Sequence, residues 1–110
     1  MTDRELLELA AKAAGVVVYS WSGPDAEGDW QDVPWTSHGW WNPLTDDGDA
    51  LRLAVKLNMG ISIPAHKTIR ADVVVFTDST VNVRELSGDQ CTATRRAIVR
   101  AAAEIGKEMK

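Results

Sequence analysis

The periodicity of residues 90–109 limits the fold more than any other feature of this sequence. Cys91, Thr94, Ile98, Ala101, Ala102, Ile105 and Met109 recur at three- and four-residue spacing, while Arg95, Arg96, Arg100, Glu104 and Lys107 fall elsewhere on the wheel. That is the period of an amphipathic helix with one face turned to a core. The spacing predicts a helix over about Gln90–Glu108, packed through Ile98, Ala101, Ala102 and Ile105. Alanine at 101 and 102 would let it approach a sheet closely. Ser87 and Gln90, three residues apart, read as its capping box.

A helix this one-sided needs a partner surface, and the rest of the chain supplies candidates. Thr2 with Glu5 is a second capping box, Leu6, Leu9, Ala10, Ala13 and Ala14 form an apolar stripe, and Gly15 is a stop. Val16-Val17-Val18-Tyr19-Ser20-Trp21 follows as a strand. Its unbroken apolar start predicts burial on both faces. Residues 22–43 hold three of the four prolines and four of the five tryptophans. They read as a long connection with one short strand near Trp30–Trp35. Thr45-Asp46-Asp47-Gly48-Asp49 opens a middle helix, capped by the threonine or an aspartate, with the remaining carboxylates favoured by its dipole. Ala50, Leu51, Leu53, Ala54, Val55 and Leu57 cover most of that helix. Ile61-Ser62-Ile63 is a short strand, and Ala71–Thr77 with Thr80–Leu86 a hairpin turning at Asp78-Ser79.

The expected fold is therefore one α/β (α+β) domain over residues 1–110. It has three helices and a mixed or mostly antiparallel sheet of about four strands, arranged as a three-layer α/β/α sandwich. At 110 residues such a chain buries enough surface to fold without staples. The one cysteine excludes an internal disulfide. The start is acidic where a secretory signal would be basic, and no apolar run approaches the roughly 20 residues of a membrane span. A soluble, cytoplasmic protein is expected. Net charge is −4, divided between an acidic first half and a basic second half. The acidic half argues against a nucleic-acid backbone as partner. Complementation of the two halves, within a monomer or a homo-oligomer, explains the asymmetry.

Two stretches carry a resemblance. Trp41-Asn42-Pro43-Leu44-Thr45-Asp46-Asp47-Gly48-Asp49-Ala50-Leu51 before an amphipathic helix resembles the central signature of the phage α/β/α-sandwich domain family. The segment Ala93-Thr94-Arg95-Arg96-Ala97-Ile98-Val99-Arg100-Ala101-Ala102-Ala103-Glu104-Ile105 is similar to that family's late helix. The resemblance implies a small protein of a tailed phage or prophage, with that layered fold. It implies no activity and carries over no site residues.

The candidate binding residues are Trp30, Trp35 and Trp40, with Arg95, Arg96 and Arg100. Clustered indoles either anchor an interface or stack on a flat ligand, and they also serve simply to order a long loop. Of adjacent Trp40 and Trp41, the first is expected to be exposed. The arginines could meet a phosphate or carboxylate, or merely be solvated. No catalytic residue, cofactor or metal site is expected. Asp46, Asp47 and Asp49 lack the spacing of a calcium loop, and His38 and His66 have no paired ligands. Cys91 reads as a packed thiol. There is no P-loop, and Ser20-Trp21-Ser22-Gly23 is not a nucleophile elbow. The expected role is a non-enzymatic accessory protein that binds another protein or a small ligand. A protein that sequesters a nucleotide signal between tryptophans and arginines comes second, and a small enzyme third.

Overall fold

The computed structural model describes residues 2–24, 30–37, 39–62, 71–77, 82–87 and 90–109. Helix α1 (Asp3–Ala14) starts as its sequence requires: Thr2 Oγ1 accepts the Glu5 N–H at 3.1 Å, and the Glu5 carboxylate takes the Thr2 N–H at 3.4 Å. It ends at Gly15, whose φ of 72° is left-handed. The Gly15 N–H donates to the Lys12 carbonyl, and the Val16 N–H to that of Ala11. Leu6, Leu7, Ala10, Ala11 and Ala14 are buried, whereas Leu9 and Ala13 of the expected stripe are half-buried.

Strands β1 (Val18–Pro24), β2 (Trp30–Thr36) and β3 (Gly39–Trp40) form an antiparallel sheet in that order. What reads in sequence as a long connection is thus mostly strand. Val18 pairs with Thr36 and Ser20 with Trp35, so Tyr19 is an extra residue, a bulge. Val18, Thr36 and Pro34 turn to the core, but Val17 and Tyr19 are exposed. The expectation that this strand is buried on both faces fails. Among the described residues no helix covers its outer side, and the apolar run is interrupted in space by the bulge.

Helix α2 (Asp47–Lys56) is capped by Asp46, whose carboxylate accepts the Asp49 N–H at 2.8 Å. It buries Ala50, Leu53 and Ala54, and leaves Leu51 and Val55 exposed at 61% and 68%. Only one side of α2 meets a neighbour, so the wide apolar circumference expected for it is not used. Strands β4 (Gly60–Ser62), β5 (Ala71–Phe76) and β6 (Asn82–Ser87) make a second antiparallel sheet, again in chain order. Gly60 pairs with Phe76, and a Cβ there would meet the Phe76 ring at 2.2 Å, so the ring lies over the glycine of an edge strand. The connections 63–70 and 78–81, including the Asp78-Ser79 turn, lie outside the described residues. So do residues 88–89, between Ser87 and Gln90.

The described residues therefore form an α+β fold, with three helices and two three-stranded antiparallel sheets among them where one sheet of about four strands was expected. Helix α3 (Gln90–Glu108) joins them, packing on α1, α2, β5 and β6. A helix with neighbours on several sides needs more than one apolar stripe. Ala93, Ala97, Ile98, Val99, Ala101, Ala102 and Ala103 are all buried. Cys91 and Met109, expected on the packed face, are exposed instead, and Ile105 is half-buried.

Helices α3 and α1 approach each other closely. A Cβ on Gly106 would stand 2.2 Å from the backbone oxygen of Leu9, so the two helices meet backbone to backbone. Lys12 Nζ closes the same end on the Met109 carbonyl at 2.9 Å. On an exposed helix, glycine to alanine gains about 0.8–1 kcal/mol of propensity. Gly106→Ala is expected to reverse that sign and lose about 1–3 kcal/mol in chemical denaturation, because it overpacks the crossing. A more stable variant would mean that the helices do not touch there. Ile98→Asp, which buries an unpaired charge, is expected to lower stability by about 3–5 kcal/mol. A melting temperature within a degree or two of the parent's would contradict the assigned face.

Candidate functional site

Strand alternation builds the most distinctive surface of the molecule. Pro34 and Thr36 face the core, so Trp35 between them points outward. Trp35 pairs across the ladder with Trp40. Their rings lie edge to face, with centroids 4.9 Å apart and planes at 64°. A short connection holds the two strands in register. Gly39 takes a φ of 88°, and Thr36 Oγ1 donates to the Gly39 carbonyl at 2.9 Å. Trp35 and Trp40 are 41% and 48% exposed, unusual for so much indole surface. Val17 and Tyr19 are exposed on and just before the neighbouring strand.

The remaining tryptophans divide as alternation requires. Trp41 turns inward at 5% exposure, and its N–H donates to the Pro34 carbonyl at 3.1 Å. Trp21 packs partly against the core, with the Arg4 guanidinium 4.9 Å over its ring. Trp30 pairs with Pro24 in the first sheet, but its side chain lies outside the described residues. Among the described side chains, the candidate indoles Trp35 and Trp40 are brought together. Nothing in the sequence marks Val17 and Tyr19 as part of that surface, since their exposure depends on the bulge and on the absence of a covering helix.

The arginines are not gathered into one patch. Arg95 is a clamp: its Nε donates to the Leu44 carbonyl at 2.9 Å, one Nη pairs with Asp47, and the other meets Thr92 Oγ1 at 3.2 Å. Its side chain is only 17% exposed. Arg96 reaches the opposite neighbour, Asp3 at the start of α1, at 3.3 Å. Arg100 is exposed and has an interaction of its own. Arg95 and Arg96 tie α3 to the acidic N-termini of the other two helices. The charge asymmetry of the halves is therefore used, in these pairs, within one chain.

The acids of residues 46–49 have structural partners too. Asp46 caps α2, and Asp49 accepts the Asn42 N–H at 3.0 Å and Arg52 Nη2 at 2.7 Å. Among the described residues no three acidic, histidine or cysteine side chains are grouped to hold a metal ion. His38 and His66 lie outside the described residues. Among the described residues no helix is long and apolar enough to cross a membrane. The chain matches no protein-family model, no curated protein and no solved structure.

Substitution separates the two adjacent tryptophans. Trp40→Ala removes an edge-to-face contact and is expected to lower stability by about 1 kcal/mol. Trp41→Ala empties a core position and is expected to lose about 3–5 kcal/mol. Equal losses in thermal melts would dissolve the distinction between surface and core indoles. Because the Asp46 cluster caps a helix and binds Arg52, excess EDTA is expected to leave the melting temperature unchanged. A shift of several degrees would mean that a cation is being held.

Proposed function

We propose that the protein is a binding module without chemistry of its own, whose contact surface is the outer face of the β2–β3 hairpin and whose occupant is another protein. The exposed Trp35–Trp40 pair, held by hairpin backbone, carries this reading. Large aromatic side chains on a rigid support are the commonest anchors of protein interfaces, because they bury much area with little loss of rotamer freedom. The edge-to-face arrangement favours a protein over a flat ligand. The two rings fill the space between themselves and leave no parallel slot for a base. Arg95 is held by Leu44, Asp47 and Thr92, and Arg96 points the other way to Asp3, so the two form no shared phosphate cradle and the nucleotide-sequestering alternative has less support. The enzyme reading has the least, since the sequence carries no nucleophile elbow, P-loop or paired acid and base.

The resemblance at 41–51 and 93–105 adds the finer part of this proposal: an accessory protein of a tailed phage or prophage, acting in the host cytoplasm. It also motivates the three-layer arrangement, which gains support from α3 touching both helices and strands.

The test is affinity capture from cells with the tagged parent and with Trp35→Ala/Trp40→Ala, read by mass spectrometry and by sedimentation of the purified protein. One protein captured in stoichiometric amount by the parent, and reduced at least about tenfold for the variant, is the expected result. Equal capture by both forms, or a small molecule released intact on heat denaturation, would overturn it. Self-association that the same substitutions abolish would replace the foreign partner with a second copy of the chain.

A further inference from the structure

A cleft of about 450 Å³ opens on a different part of the molecule, between the end of α1, the approach to β1 and one side of α2. Buried Ala14, Trp41 and Leu53 form its apolar floor, and half-buried Val16 one wall. Arg52 and Lys56, one turn apart on α2, stand at its rim with Asp49. A recess of a few hundred Å³ with an apolar lining and a few polar groups at one end is the usual form of a small-molecule site.

The charges at this rim decide what would fit. Both oxygens of Asp49 are already used, one on the Asn42 N–H and one on Arg52. Arg52 engages Asp49 through one nitrogen and Asp46 more loosely at 3.8 Å, and its side chain stays 72% exposed, with donors to spare. Lys56 has no hydrogen bond or ion pair among the described residues. At the end of α1 the carbonyls of Ala11 and Lys12 are taken by the Val16 and Gly15 N–H groups, so these two do not face the cleft as free acceptors. Asp46 and Asp49 both face Arg52, so Lys56 is the cation at this rim without a partner among the described residues, and it stands beside an apolar floor. The geometry points to a binding site for a small organic monoanion, its apolar body on Trp41 and Leu53 and its carboxylate between Arg52 and Lys56. This site is separate from the indole pair and does not depend on it.

Octanoate and octanol share an apolar tail and differ in charge, which makes them suitable probes. In amide correlation spectra of the whole protein, octanoate is expected to give saturable shifts at Gly15, Val16, Trp41, Leu53 and Lys56. It should bind at least about tenfold tighter than octanol, since hydrogen bonds to charged groups are the strong ones. Arg52→Gln/Lys56→Gln is expected to erase that difference. Lys56→Gln alone removes no intramolecular pair, so it should fold as the parent does and lose the preference for octanoate several-fold. Four results would overturn the proposal: no saturable shift up to roughly 10 mM, shifts centred on Trp35 and Trp40, equal affinity for both probes, or an undiminished preference in the Lys56 variant. Trp40→Ala should leave octanoate binding unchanged, so failure here and failure of the interface reading are told apart.

Discussion

The contact on which the rest of this structure depends is the one between Gly106 of α3 and the backbone of α1 at Leu9. Two helices that meet without intervening side chains gain dispersion contacts along their main chains. They can do so only where one of them lacks a Cβ at the crossing. Once α1 is seated there, α3 has further faces to offer, which α2, β5 and β6 take. The run of buried alanines from Ala93 to Ala103 fits this position, because a helix surrounded by close neighbours has no room for larger side chains on every side. Leu7, Val73, Val75 and Leu53 then supply the volume from the surrounding elements.

Charge reinforces the same arrangement. Arg95 and Arg96 are adjacent in sequence and so leave the helix in different directions. One reaches the first turn of α2 and the other the first turn of α1. Each joins an arginine to the end of a helix where acidic residues are favoured. The pairs are partly exposed, so each is worth little in stability. Their larger effect is on orientation, since Arg95 holds both a carbonyl and a carboxylate of the segment leading into α2.

The first sheet stands apart from this network. It is attached through Val18, Trp21, Pro34 and Thr36, with Trp41 just beyond β3, which turn to the core while Tyr19, Trp35 and Trp40 face away. An open outer face on a sheet that also shows two indoles is a surface that scaffold stability does not require. That contrast separates the interface from the core more clearly than composition could. The cleft beside α2 follows from the same economy of contact: α2 touches its neighbours along one side only, so its cationic side and its Leu51–Val55 side are both left to solvent.

The capped start and glycine stop of α1, the Asp cap of α2, the span of α3 and the outward turn of Trp40 against Trp41 were legible in the residues themselves. They depend on local rules: an oxygen three positions from an amide, a glycine where a left-handed residue is needed, a period of two or of 3.6. The strand near Trp30–Trp35 was legible, but its pairing with β1 and β3 was not, because prolines and glycines within residues 22–43 mask a ladder that becomes visible only when Trp35 and Trp40 are paired. Sequence also could not show which arginines are occupied, since Asp47 and Asp3 lie far along the chain from Arg95 and Arg96. Nor could it show that Cys91 is exposed, that β1 is covered on one face only, or that Arg52 and Lys56 flank a recess. Each of these depends on which element lies across from which, and that was decided by long-range packing around α3 rather than by any residue's own preference.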